Sequence, residues 1–311
     1  MILKRVSVII STFSIDRANY VASCIKSLRK QKSLPEEIIL VLDPDEALLE
    51  FYKSCMPNDV KIVVSEGYGL SYARNAGVKN AKGEIVAFID DDAVADETWL
   101  ENLVKNYNDP RVAGVGGFIK PIWESGRPIW FPEELDWIIG CSYKGLPKSK
   151  AYVRNPIGCN MSFRKDVFEE VGYFRVGIGR LGKKPVAGEE AELSMRILEK
   201  IPGAKIVHEP RAVVCHRVPK SRTHLKYVVK RSFYEGFSKA LISDRKSDLI
   251  NTLSTEEHYL KYLLKNAIPS RLKHFPIFGD LCSTMVIFTS MSSVFMGFFI
   301  GKFSLKLKKQ D

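Results

Sequence analysis

Two runs of apolar, mostly β-branched residues in this chain stop abruptly on aspartate. Residues 38–42 (IILVL) end at Asp43, and residues 85–89 (IVAFI) end at Asp90, Asp91 and Asp92. An unbroken apolar run of that length is the pattern of a strand buried on both faces, as in a parallel sheet. Carboxylates do not follow such a strand into the interior, so they mark one sheet edge. In open α/β sheets that edge is where ligands bind. Three adjacent aspartates also repel one another, and a fold that keeps them together needs a cation nearby. The stretch leading into them, residues 69–83, is helix-like and carries Arg74 and Asn75 before a Lys82-Gly83 turn.

The same alternation runs through the first third of the chain. Residues 6–10 (VSVII) predict a first buried strand that gives way to the polar edge Ser11, Thr12 and Phe13. Residues 17–30 space Tyr20, Val21, Cys24, Ile25 and Leu28 as one helix face. A short helix is expected over 47–55, a strand over 61–64, a helix over 70–80, a second amphipathic helix over 96–107 and a strand over 112–115. Strands alternating with helices imply a mostly parallel sheet with right-handed crossovers. No GxGxxG occurs, which disfavours a dinucleotide site.

From 118 to 155 the pattern breaks, and three of the four tryptophans (Trp123, Trp130, Trp137) sit among Pro, Gly and Lys. This reads as a loop packed by its own aromatics, or as a loop facing substrate, since aromatic faces suit sugars and lipid headgroups. A strand is expected at 157–163, a helix at 165–171, a mobile glycine-rich loop at 177–188 and a helix at 188–200 with acids in its first turn. Glu192 and Arg196, four apart, form a supporting ion pair. Short strands follow at 205–208 and 212–218. A long basic helix over 222–242 would align Arg222, Lys226 and Lys230, and a second amphipathic segment spans 255–268. His208 reads as a structural histidine.

Residues 281–301 contain no charge, about the length that spans a hydrocarbon core, and Lys302, Lys306, Lys308 and Lys309 follow. A spanning helix, a re-entrant pair of half-helices around Met291, Ser292 and Ser293, and an interfacial helix all remain open. At the other end, Lys4 and Arg5 precede a run too short for a leader. The chain thus divides into a catalytic domain at 1–220, basic membrane-proximal helices at 221–275, and an apolar helix with a Lys-rich tail at 276–311. With 311 residues and 45% hydrophobic content a sizeable core is available. The net charge of +11 points to an anionic partner. The six cysteines are scattered with no CxxC, so neither a disulfide framework nor a zinc site is expected.

Several ordered motifs together give a resemblance: the VSVIISTF opening, Asp43 after the second strand, ARNAG at 73–77, FIDDD at 88–92, GCNMSFRKDVFEEVGYF at 158–174 and GEEAELSMR at 188–196. Over residues 5–220 the chain resembles the inverting glycosyltransferases of family 2, with the GT-A fold: α/β, a mixed, mostly parallel sheet flanked by helices. The basic and apolar C-terminal segments are similar to those of membrane-attached bacterial and archaeal members that build glycans on polyprenyl carriers. The resemblance implies transfer from a UDP- or GDP-sugar to a lipid-linked glycan, with Mg²⁺ or Mn²⁺ as cofactor. It implies that Asp92 ligates the metal, that Asp90 contacts the nucleotide sugar or the metal, and that Asp43 accepts from base or ribose. Thr12 and Phe13 stand where the family holds the nucleobase, and Arg74 where it steadies the diphosphate. Glu190 is the candidate general base with Glu189 beside it. His216 is a further metal or diphosphate contact, with Arg217 beside it able to pair with phosphate. Asn160 is an acceptor-side or backbone-bridging residue.

A hydroxyl acceptor needs a general base and a phosphate acceptor does not, so the Glu189-Glu190 pair favours a lipid-linked saccharide over the alternative, a polyprenyl-phosphate monoglycosyltransferase. A silent scaffold or a nucleic-acid binder is the non-enzyme reading. Nucleic acid is disfavoured, because the aspartates repel phosphate and the cations do not interleave with aromatics. The expected location is the cell membrane, with the catalytic domain on the cytoplasmic side.

Overall fold

The computed structural model describes residues 4–177, 187–243, 254–273 and 278–307. It divides into two compact units. The first comprises Met1–Pro121, Pro147–Lys183 and Glu189–Arg217, and the second Ile122–Leu146, Lys184–Gly188 and Val218–Asp311. Most of the expected glycine-rich loop, 178–186, and the tail from 308 onward lie outside the described residues.

The first unit is built on one mixed sheet. Its parallel part comprises β1 (Val6–Thr12), β2 (Glu37–Leu42), β3 (Val60–Val64) and β4 (Ile85–Asp90), in the order β3-β2-β1-β4. Val8, Ile9, Ile10, Ile39, Leu40 and Val41 are at most 1% exposed, as continuous apolar runs require. The register fixes the edge. Ser11 pairs with Asp90, and Thr12 with Leu42. The ends of β1, β2 and β4 are therefore level, which brings Thr12, Asp43 and Asp90 to one rim.

Beyond β4 the sheet is antiparallel. β8 (Asn160–Arg164) lies against β4, β6 (Val112–Trp123) against β8, and β5 (Ala93–Ala95) and β7 (Ala151–Val153) against β9 (Lys205–Val218). The parallel expectation thus holds for the strands up to Asp90. β6 also runs eight residues past the expected stop at 115. Past Gly117 its residues alternate, Phe118 exposed, Ile119 buried and Lys120 exposed, which is the period of a strand with one solvated face. β9 merges the two short strands expected there across Pro210.

Helices α1 (Ala18–Leu28), α2 (Glu46–Cys55), α3 (Leu70–Asn80), α4 (Trp99–Val104), α5 (Asp166–Val171) and α6 (Glu189–Lys200) complete the unit. The ARNAG motif of α3 has a use for each of three residues. Arg74 enters the rim. Asn75 exchanges two hydrogen bonds with the backbone of Phe174, at 2.8 and 2.9 Å. Gly77 lets α3 settle on β1, since a Cβ there would stand 2.5 Å from Ile9 Cγ2. The expected Glu192–Arg196 pair forms at 2.8 Å, and Arg175 joins it at 3.0 Å.

In the second unit, the tryptophan-rich loop is packed by its own side chains. Arg127 lies 4.9 Å over Trp123 and chelates Asp136 at 2.9 and 2.7 Å. Trp123 and Trp130 both pack on Phe131. Buried Glu134 takes Arg271 of α9 (Ile268–Leu272) through both oxygens, and Tyr259 of α8 (Ser254–Tyr262) accepts from Trp137 at 3.2 Å. The basic helix α7 is Leu225–Ser243, so Arg222 stands in a preceding turn, donating to the Ile139 carbonyl at 2.9 Å. It does not share a face with Lys226 and Lys230.

The apolar C-terminal helix α10 (Phe278–Leu307) is unbroken through Met291, Ser292 and Ser293, which removes the paired half-helices. It runs alongside α7 in the same direction. Ser232 and Ser290 hydrogen-bond at 2.8 Å, and Gly236 and Gly297 each meet the opposing backbone where a Cβ would be 1.9 Å from a carbonyl oxygen. Ser232, Gly236 and Ala240 recur every fourth residue, the small-residue seam that lets backbones touch. The other face of α10 exposes Met285, Phe288, Phe295, Met296, Phe299 and Phe303. Residues Gly279–Lys306 are long and apolar enough to cross a membrane.

Candidate active site

The rim at the end of β4 sorts its three aspartates. Asp90 keeps 36% of its side chain exposed. Asp91 and Asp92 turn inward and are 4% and 7% exposed. The cation that the triplet calls for is partly supplied by the chain itself. The Arg17 guanidinium, at the start of α1, grips Asp91 through both oxygens and reaches Asp92 at 2.8 Å. Burial pushes the Asp91 carboxyl up, against the pull of Arg17. At Asp92 burial acts the same way, but His216 and Arg17 outweigh it and hold this carboxyl below the usual carboxylate range. Arg17 stacks in turn on Phe13 and Tyr20, at 5.3 and 5.9 Å. Nothing in the local pattern of the sequence marked Arg17; it lies 74 and 75 positions from its partners.

His216 arrives on β9, opposite Ala93, with its Nε2 3.1 Å from Asp92. Cys159 arrives in the turn before β8. A carboxylate oxygen of Asp90, the Cys159 sulfur and a ring nitrogen of His216 lie within 4.8 Å of one another, a donor set able to hold a divalent ion. Asp92, expected as a metal ligand, is engaged by Arg17 and His216 and lies outside that donor set. The sequence offered Cys159 only as a scattered thiol, although it sits inside the GCN motif.

Arg74 ties the rim to the start of α6. Its Nη1 is 2.5 Å from Glu189 Oε1, its Nη2 donates to the Gly158 carbonyl at 3.0 Å, and Asp90 lies 4.0 Å away. Phe88 and Phe174 flank the guanidinium. Arg74 is 3% exposed and Glu189 4%. Two expectations change accordingly. Arg74 does not reach out to a diphosphate, and Glu189 does not face substrate, because each neutralises the other in the interior. Glu190, next on α6, is half-buried.

Asn160 takes the second of its two expected roles, bridging backbone. It is fully buried; its amide donates to the carbonyls of Phe118 and Ala212 at 3.0 and 2.9 Å and accepts from the Trp99 indole at 2.8 Å. With that capacity used, it bridges strands and does not contact an acceptor. Of the expected nucleobase contacts, Thr12 is buried and Phe13 is 61% exposed. Asp43 is half-buried and takes the Gly69 amide at 3.4 Å; burial pushes its carboxyl up. Arg217 lies 5.1 Å over Tyr20.

Comparison with known proteins places this geometry. The family model described as glycosyl transferase family 2 matches residues 7–172. A glucosyl-dolichyl phosphate glucuronosyltransferase of Haloferax volcanii is 33% identical over 306 residues, 96% of each chain. Among solved structures, the mannosyltransferase PcManGT of Pyrobaculum calidifontis, in complex with GDP-Man and Mn²⁺, superposes with a TM-score of 0.58 at 18% identity, covering 99% of this chain and 88% of that one. GalNAc-T7 with UDP, GalNAc and Mn²⁺ superposes with a TM-score of 0.54 at 20% identity, over 88% and 58%. At such identities the two structures share the fold, a GT-A architecture.

Proposed function

The chain belongs to glycosyltransferase family 2, and from that premise we propose that it is an inverting, metal-dependent enzyme that moves a sugar from a nucleoside diphosphate to a hydroxyl of a lipid-linked saccharide. The observation that carries this reading is the Arg74 bridge. It joins the Asp90 rim, where a donor's diphosphate would sit, to the first turn of α6, where Glu190 stands next to the anchored Glu189.

Each residue then has one task. Asp43 accepts from the ribose or base, and exposed Phe13 offers a stacking face. Asp90 and His216, with Asp92 and Arg17 bracing the histidine, would hold a divalent metal ion. Bound there, the ion offsets the charge that develops on the departing diphosphate. Glu190 takes the proton of the acceptor hydroxyl as its oxygen bonds to the anomeric carbon. The nucleoside diphosphate leaves from the opposite face with the electron pair of the broken C–O bond, so the configuration inverts. Arg74 and Glu189 are positioning residues that fix the distance between the two halves.

The name of the Haloferax relative supports a dolichyl-phosphate-linked acceptor. The exposed apolar face of α10 supports work at a membrane; the need for nucleotide sugars places the proposed catalytic side toward the cytoplasm. A transfer assay with purified full-length protein, a panel of UDP- and GDP-sugars, and two acceptors tests this. Transfer to a dolichyl-phosphate-linked sugar is expected. Transfer to free dolichyl phosphate alone would replace the reading with a monoglycosyltransferase.

A further inference from the structure

We propose that Cys159 is a third protein ligand of the metal, which makes the site a mixed oxygen, sulfur and nitrogen centre selective for a thiophilic divalent ion. The inference rests on the metal reading above and extends it to a residue with no role there. Zn²⁺ and Cd²⁺ are expected to bind ahead of Mn²⁺, and Mg²⁺ weakest.

The three donors come from separate parts of the sheet: Asp90 from the end of β4, Cys159 from the turn before β8, and His216 from β9. Their ligand atoms lie within 4.8 Å of one another. Metal bonds of about 2.0–2.3 Å to oxygen, nitrogen and sulfur would set tetrahedral donors roughly 3.3–3.6 Å apart, so an ion need draw them in by only about 1 Å. Cys159 and His216 are 4% and 3% exposed, while Asp90 is open to solvent. An ion can enter from the Asp90 side, and a position is left for a diphosphate oxygen, the arrangement of three protein ligands and one open place that catalytic sites keep.

The backbone around Cys159 is fixed in advance. Gly158 gives its carbonyl to Arg74, and Asn160, whose N–H bonds Ile157 at 3.0 Å, is locked by three side-chain hydrogen bonds. His216 is braced by Asp92, which Arg17 holds. Ligands oriented by such outer partners hold a metal more tightly. Thiolate favours soft ions, while Mg²⁺ prefers an octahedron of oxygens, and the preference order follows from the donor types.

The test uses the nucleotide-free, chelator-treated full chain titrated with Cd²⁺, reading the ultraviolet thiolate-to-cadmium charge-transfer band. Mn²⁺ binding is followed in parallel by the loss of the free-ion electron paramagnetic resonance signal. Cys24, Cys55, Cys141, Cys215 and Cys282 remain in every sample, so the band is read as the difference from Cys159→Ser and Cys159→Ala. The proposal expects that difference band to saturate at one equivalent and to depend on Asp90 and His216. It expects Cd²⁺ affinity to fall more than about 100-fold in both variants, beyond what loss of an outer partner alone costs. Unchanged Cd²⁺ binding in the variants, with Mn²⁺ still bound, overturns the role of Cys159 and leaves the metal reading standing. Wild-type protein that binds neither ion overturns both. Should both variants fail to fold, cadmium NMR of the wild type decides. Scalar coupling from bound cadmium to the Cys159 β-protons supports the proposal, and a bound resonance without it overturns it.

Discussion

Replacing Arg74 with methionine removes the cation from the interior and leaves Glu189 behind. Glu189 is 4% exposed, its Oε1 sits 2.5 Å from Arg74, and its Oε2 has no hydrogen-bond partner among the described residues. Breaking a buried pair from one side costs about 3–5 kcal/mol, because the remaining charge is uncompensated. The Gly158 carbonyl also loses its donor, which adds about 1 kcal/mol. At about 2–4 °C per kcal/mol for a unit of this size, the first unit should melt roughly 8–24 °C lower. The check is a thermal scan by near-ultraviolet circular dichroism of wild type, Arg74→Met, and the double variant Arg74→Met/Glu189→Leu. The double variant should recover most of the loss, since an apolar pair of similar volume replaces the ions. A single variant within about 2 °C of wild type, or a double variant no better than the single, refutes the view that this pair anchors α6 to the rim.

Other expectations follow from the same geometry. Gly297→Leu should force α10 off α7, because even a Cβ there would stand 1.9 Å from the Phe233 carbonyl oxygen; a Ser232→Cys/Ser290→Cys disulfide that forms readily in the parent should then fail to form. Burial pushes the Asp136 carboxyl up to about 6, although Arg127 pulls the other way. Raised above its unfolded value, this group stabilises the second unit fully below about pH 4 and loses that contribution as pH rises through its folded value; Asp136→Asn should flatten the unfolding profile across that window. Chelation should stop sugar transfer, and Mn²⁺ should restore it, measured as released nucleoside diphosphate.

The parts of the site that sit at strand ends were legible in the sequence. The runs before Asp43 and Asp90 are too apolar to be anything but buried strands, and parallel pairing levels their ends without further information. What the sequence hid is long-range. Arg17 neutralises two aspartates 74 and 75 positions away, and no local pattern encodes a partner at that distance. Asn160 stayed open between acceptor contact and backbone bridging, because the antiparallel strands that close over it, β6 and β9, were read as loop or as fragments. Arg74 was recognised as a rim residue, but its burial depends on Glu189, 115 positions on. Cys159 looked incidental because its neighbours in space, Asp90 and His216, come from strands the linear pattern keeps apart.

The central claim is that one rim joins a donor half at Asp90 to a base at Glu190. Two readouts on two variants test it most directly: nucleotide affinity by equilibrium dialysis with Mn²⁺, and transfer rate with a dolichyl-phosphate-linked sugar. Asp90→Asn should lose both. Glu190→Gln should keep nucleotide affinity and lose about 10²–10⁴ in rate, the usual share of a general base. Near-normal turnover in Glu190→Gln, or an equal loss of nucleotide binding in both variants, would contradict the account.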